Sequence, residues 1–314
     1  MCDFLFFSEP ASVAHLKFPR NFAVFEMLFS IVAPVLISAA IGYGWAYMGR
    51  PYNTEMVTHL VTAIGVPCLV FTTLVHAAID LDALARMAGA TFAALSVMGV
   101  IGYAILRFWG QSVRAFLPAL VFPNTGNMGL PLALLAFGEE GMALAVAYFT
   151  VCIILQFTVG VAVSSGVTSP MALMRVPAIY AVILALLFKA TATEVPLWAG
   201  NTIELLSGFT IPLMLITLGI SLQQLKISAL GKSLIMAMIR LLMGFAVSLA
   251  LADMLGFEGA MKGVLIVQSS LPVAVFNYLF AARYNTDPEA VAGTVVLSTL
   301  MSFATLPFLM WFVL

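Results

Sequence analysis

Apolar residues run through this chain in blocks of twenty or more, and short polar clusters interrupt them. A helix needs about 20 apolar residues to cross the hydrocarbon core of a bilayer. By that measure the blocks predict helices near 22–48, 55–77, 84–108, 114–137, 141–165, 177–193, 202–224, 229–254, 259–283 and 289–313. The interruptions are brief: Gly49-Arg50-Pro51, Asp80-Leu81-Asp82, Trp109-Gly110-Gln111, Gly138-Glu139-Glu140-Gly141. None is long enough to be a soluble domain, so 27–314 reads as one all-α integral membrane domain. Residues 1–26 read as an N-terminal tail. Phe4-Leu5-Phe6-Phe7 is too short for a signal-peptide core, and Glu9, Pro10, His15, Lys17, Pro19 and Arg20 follow it. Met27 opens the cleaner apolar run and is a candidate start.

The prolines expose an internal duplication. Pro34 and Pro177 lie 143 residues apart, Pro51 and Pro196 lie 145 apart, Pro67 and Pro212 lie 145 apart, and Pro131 and Pro272 lie 141 apart. Local patterns agree: Val66-Pro67-Cys68-Leu69 matches Ile211-Pro212-Leu213-Met214, and Gly129-Leu130-Pro131 matches Ser270-Leu271-Pro272. Repeat one is expected at about 27–168 and repeat two at about 172–314. Five helices per repeat is an odd number, so the second copy enters the bilayer from the opposite side, the inverted plan of many secondary transporters. Loop charge supplies the orientation. Arg50, Arg107, Arg114, Arg175, Lys226, Lys232 and Arg283 follow odd-numbered helices, whereas only Arg86, Lys189 and Lys262 follow even ones. Basic residues gather on the cytoplasmic side, which places both termini outside the cell inner (plasma) membrane. Lys17 and Arg20 argue the other way unless the chain starts at Met27.

Composition narrows the classes. Hydrophobic residues make up 63% and charged residues 9%, against roughly 25% charged in a soluble domain, so the surface must face lipid. A net charge of −1 gives no basic footprint for nucleic acid. Cys2, Cys68 and Cys152 are scattered, which argues against a zinc site or a disulfide framework. No HExxH, no paired intramembrane aspartates and no partnered nucleophile can be read, so no enzyme and no cofactor is expected. Nor is a channel's filter loop or charged ring legible.

Two blocks contain what a continuous helix rejects. The fourth carries Val121-Phe122-Pro123-Asn124-Thr125-Gly126-Asn127-Met128-Gly129-Leu130-Pro131. Its prolines remove donors and clash with the preceding turn, and its glycines weaken helicity. The ninth carries Gln268-Ser269-Ser270-Leu271-Pro272 and then Asn277. A proline-kinked structural helix is the plain reading of either stretch alone. Two interrupted helices at corresponding positions of two repeats point instead to a midplane transport site. Half-helix N-termini there present free N–H groups and a positive dipole end to a carboxylate.

The fourth block, LVFPNTGNMGLPL, resembles the signature helix of the auxin efflux carrier family, which includes plant carriers and bacterial malonate-type permeases. The resemblance runs from about Ile31 to the C-terminus through APVLISAAIGYGWA, IGVPCLVFTTL, IRLLMGFAV and VQSSLPVAVFNYLFAARYNTDPE. It implies ten transmembrane helices in two inverted five-helix repeats, with broken, crossing helices 4 and 9, the architecture of bile-acid symporters and NhaA-type antiporters. It also implies an elevator, with helices 3–5 and 8–10 moving against a scaffold of helices 1, 2, 6 and 7. Pro131 and Pro272 would be the crossing prolines, with Gly129 beside them. The substrate would lie beside Asn124, Thr125, Gly126, Asn127, Gln268, Ser269, Ser270 and Asn277. Gly126 and Asn127 stand where plant carriers have larger apolar residues, which favours a small hydrophilic acid over auxin. The long loop of many plant carriers between helices 5 and 6 is missing, as in a prokaryotic member.

The expected activity is secondary transport of a small mono- or dicarboxylate. A sodium-coupled bile-acid-type symporter is the alternative, and a channel or sensor the lesser rival. Expected partners are the carboxylate, the lipid bilayer and a coupling proton or sodium ion, with a homodimer left open. Arg240 lies half-way along its helix, where a charge in lipid costs at least ~2.5 kcal/mol, so it either joins the pathway or snorkels to the interface. Glu139, Glu140, Asp80 and Asp82 read as solvated loop charges at external helix ends, any of which could take a coupling proton. Asp253 and Glu258 also read as loop charges. His59 and His76 read as packing residues before proton relays. Tyr148, Gln156 and Tyr278 could add polar contacts.

Overall fold

The computed structural model describes residues 20–77, 79–167, 176–191, 193–225 and 229–314. The expected tail up to residue 19 and the loop charges Arg175 and Lys226 lie outside them. α1 (Arg20–Tyr47) begins inside the stretch expected to be tail. It is followed by α2 (Thr54–His76) and α3 (Leu81–Phe108), then α4 (Val113–Val121) and the long α5 (Thr125–Ser165). The second half comprises α6 (Pro177–Ala190), α7 (Leu197–Gln224), α8 (Leu230–Met254), α9 (Gly259–Ser269), α10 (Val275–Tyr284) and α11 (Pro288–Val313). Among the described residues no strand forms, and seven helices are long and apolar enough to cross a membrane: α1 from Leu28 onward, α2, α3, α5, α7, α8 and α11.

α5 counts 41 residues, which at 1.5 Å each would be about 60 Å, twice the hydrocarbon thickness. It does not run straight. Gly138 takes φ 63° and ψ −154°, a conformation open to glycine and costly for residues with a Cβ. The helix turns there, with Glu139 and Glu140 exposed at the corner.

The helices pack in two groups. In the first, α1 lies along the second half of α7, while α2 lies against α6 and the first half of α7. The α1–α7 contact is backbone on backbone: a Cβ on Gly219 would overlap the Ala39 carbonyl, and one on Gly42 the Ile216 carbonyl. The Tyr52 hydroxyl meets the Thr217 hydroxyl at 2.7 Å, and Lys189 donates to the Ala77 carbonyl. In the second group α3 packs on α4 and α5, and α8 packs on α3, α9 and α11. α9 lies against α5, and α10 against α11.

The central stretches, Met142–Val146 of α5 and Val264–Val267 of α9, are fully buried. The outside stays apolar, with Phe108, Leu197, Phe308 and Trp311 exposed. Such a surface is stable against acyl chains and unstable against water. Trp45, Trp109, Trp198 and Trp311 all sit at or beside helix ends, where an amphipathic ring favours the headgroup level.

Candidate functional site

The two interrupted stretches meet. The amide of Phe122 makes the last bond of α4, to the Pro118 carbonyl. Pro123 has no donor with which to continue the ladder, and the chain runs extended to Asn124. Between α9 and α10 the chain is likewise non-helical around Pro272. Pro123 and Val273 pair as an antiparallel bridge. The Asn124 amide donates to the Pro272 carbonyl at 2.8 Å, and the Ala274 amide to the Phe122 carbonyl at 3.2 Å.

Unpaired backbone is costly in a bilayer interior, and side chains take up much of what remains here. The Val273 amide donates to the Ser298 hydroxyl at 3.1 Å. Asn277 Nδ2 donates to the Phe122 carbonyl at 3.1 Å, while Asn277 Oδ1 accepts from Gln156 Nε2 at 3.1 Å. Four half-helix ends therefore converge: the C-termini of α4 and α9 and the N-termini of α5 and α10.

The crossing lies at Pro123 and Pro272–Ala274, not at Pro131. Pro131 is the seventh residue of α5 and comes just after a wide π turn, Thr125–Gly129, whose extra width accommodates a proline without ending the helix. It is the Pro123 stretch that pairs with Pro272–Ala274, so the expected partnership of Pro131 with Pro272 at the crossing is replaced by one of Pro123 with Pro272. Gly129 does reach the crossing, since a Cβ on it would overlap the Gln268 side-chain carbonyl.

Of the residues expected beside a substrate, Asn124, Thr125, Gln268, Ser269, Ser270 and Asn277 are buried around this crossing. Gly126 and Asn127 are half-buried in the π turn. Asn124 Nδ2, both polar atoms of the Gln268 amide and the Ser270 hydroxyl are buried with no hydrogen-bond partner. Each such group costs about 1–3 kcal/mol. Four such atoms lie together at the crossing, each with hydrogen-bonding capacity that no protein group uses.

Arg240 does not snorkel. It is completely buried, its Nη1 donating to the Leu120 carbonyl at 3.0 Å and its Nη2 to the Ser269 carbonyl at 2.7 Å. Met98 Sδ lies 3.3 Å from Nη1, and Nε has no protein partner. One turn on, a Cβ at Gly244 would overlap the Ser269 carbonyl, so a glycine there lets α8 approach α9 closely enough for Arg240 to reach. The Tyr148 hydroxyl is 3.0 Å from the Ser269 hydroxyl. Tyr148 and Gln156 thus belong to the crossing, though their sequence surroundings single out neither. Ser298 carries no sequence signal at all.

The other ionisable groups lie elsewhere. Asp80, Asp82, Glu139 and Glu140 are exposed. His59 and His76 are exposed as well, which overturns their reading as packing residues. Asp253 pairs with Lys262 at 2.7 Å. Glu258 is exposed, and Tyr278 is half-buried. Among the described residues no group of histidine, cysteine or acidic side chains could hold a metal ion.

Comparison with known proteins gives a consistent result. Residues 27–172 and 161–310 match the family described as membrane transport protein. An uncharacterized transporter of Methanocaldococcus jannaschii is 24% identical over 306 residues, covering 90% of this chain and 98% of that protein. An uncharacterized transporter of Methanothermobacter thermautotrophicus is 25% identical over 296 residues, covering 88% and 95%. Auxin efflux carrier component 3a of Oryza sativa subsp. japonica is 29% identical over 137 residues, 41% of this chain and 22% of that carrier.

Proposed function

We infer, since this chain belongs to the membrane transport protein family and resembles auxin efflux carriers, that it is a secondary carrier of a small organic anion, and that the crossing is its binding site. The carrying observation is the set of buried, unpartnered amides of Asn124 and Gln268 beside two half-helix N-termini. An anion there would gain the dipole ends of α5 and α10 and the free amide donors, with little reorganisation.

In this reading the same elements make ten spans. α4 and α5 as far as Phe137 make one broken span, α5 beyond Gly138 makes the next, and α9 with α10 makes the second broken span. α1, α2, α6 and α7 form a scaffold in this reading, and the remaining helices form a body that carries the crossing from one side to the other. Backbone-on-backbone packing of α1 on α7 supports a rigid scaffold. The termini are assigned to the outer side by the loop charges, and the membrane to the cell inner membrane.

Uptake of labelled mono- and dicarboxylates into proteoliposomes, with and without proton and sodium gradients, tests the function. A carrier gives saturable uptake and counterflow. Uptake that never saturates would make it a channel, accumulation only with sodium would make it a sodium symporter, and indifference to every carboxylate would remove the anion assignment.

A further inference from the structure

We propose that Arg240 is a positioning residue of the crossing, a built-in cation that neutralises the C-terminal ends of both broken helices and holds them at one point. The proposal rests on reading the crossing as the site. The guanidinium is fully buried, yet no aspartate or glutamate is buried anywhere among the described residues. Its acceptors are main-chain carbonyls, Leu120 in the last turn of α4 and Ser269 at the end of α9.

Aligned peptide dipoles leave about half a negative charge at a helix C-terminus. Two such ends therefore sum to about one, which a single guanidinium balances. The balance leaves the N-terminal ends of α5 and α10 as the unpaired positive poles of the crossing, beside the Asn124 and Gln268 amides. It also accounts for an arginine in the middle of an apolar helix, where an uncompensated charge is strongly disfavoured. A planar fork with several donors can serve two carbonyls from different helices at once, which an ammonium does less well.

Neutralising residue 240 should leave about one unit of uncompensated negative potential, and a small cation from solution should then substitute for the missing group. Cys152 is a native reporter: it is buried in α5 one turn after Tyr148, whose hydroxyl meets that of Ser269 at the crossing. In a Cys2→Ser, Cys68→Ser background of the full chain, purified in detergent, alkylation of Cys152 by a maleimide reports opening of the crossing. Arg240→Ala should be alkylated about tenfold faster or more, the local-opening equivalent of one lost charged hydrogen bond. Millimolar guanidinium chloride should slow it again, choline chloride should not, and the parent should respond to neither.

Arg240→Lys, which keeps the charge, should label more slowly than Arg240→Gln, which keeps only donors. Equal behaviour of the lysine and glutamine variants, in folded yield or in labelling, overturns the assignment, as does failure of guanidinium to slow the alanine variant. Carboxylate counterflow by the parent is read separately. Its absence would remove the carrier function and leave the labelling result standing.

Discussion

At the scale of single residues, the crossing holds polar groups that weaken the fold. Asn124 and Gln268 bury amide atoms with nothing to bond, so truncating either to alanine removes an unfavourable burial. The melting temperature of Asn124→Ala or Gln268→Ala should therefore stay level or rise, by the equivalent of about 1 kcal/mol. Carboxylate counterflow should fall at least about tenfold, the effect of one charge-assisted hydrogen bond. Melting curves and counterflow on the same preparations check both halves. A loss of stability in step with transport would mean that these amides are structural. Such residues were legible in sequence because asparagine and glutamine stand out in an apolar block. Arg240 was only half legible. One arginine in an apolar helix fits either an interface or a core, and its acceptors at Leu120 and Ser269 lie 120 and 29 residues away.

At the scale of elements, proline decides where each helix stops, but not every proline does so. Pro123 follows the last bonded residue of α4, and its lack of a donor is what frees Asn124 to pair with Pro272. Pro131 lies within α5, just after the π turn, and does not end the helix. Pro123→Ala and Pro272→Ala should therefore each cut turnover by about tenfold or more, since a helix that continues through either position moves the N-terminal amides out of register. Pro131→Ala should remain within about twofold of the parent, because the helix already continues through this position by way of the wide π turn before it. Initial rates per folded molecule make the comparison, and equal losses at all three prolines would contradict it.

The sequence pattern placed both breaks in the right blocks, because proline beside asparagine or glutamine within twenty apolar residues suits a continuous, lipid-facing helix poorly. It expected the crossing at Pro131, about two helical turns past Pro123, because the spacing of prolines does not say which proline of a stretch ends the helix. A second packing feature was equally invisible. Gly42 and Gly219 read as ordinary glycines of an apolar helix, yet each touches the opposite backbone. Gly219→Leu should lower the melting temperature by the equivalent of about 1–3 kcal/mol, the usual cost of overpacking. Differential scanning fluorimetry would register it, and an unchanged midpoint would mean that α1 and α7 separate freely.

At the scale of the whole molecule, the division into two packed groups makes a prediction about motion. Within the body that holds the crossing, Lys232 at the start of α8 pairs with Asp287 before α11 at 2.7 Å, and Lys232 Nζ lies 4.6 Å from the Phe116 ring centroid of α4. If these helices travel together, a covalent tether replacing the Lys232–Asp287 pair constrains nothing that moves. Between the groups, Val35 of α1 and Leu306 of α11 share one buried apolar cluster, and in the elevator reading these two helices slide past each other. Lys232→Cys with Asp287→Cys, oxidised or bridged by a short bifunctional thiol reagent, should keep counterflow within about twofold, because rigid bodies tolerate internal tethers. Val35→Cys with Leu306→Cys, bridged the same way, should abolish counterflow and recover it on reduction. Both variants are built without Cys2, Cys68 and Cys152, and each uncrosslinked protein is its own control. Arrest by the first tether would mean that the crossing deforms internally during transport. Normal transport with the second in place would mean that α1 and α11 never part, and the elevator reading would give way to a gate confined to the crossing.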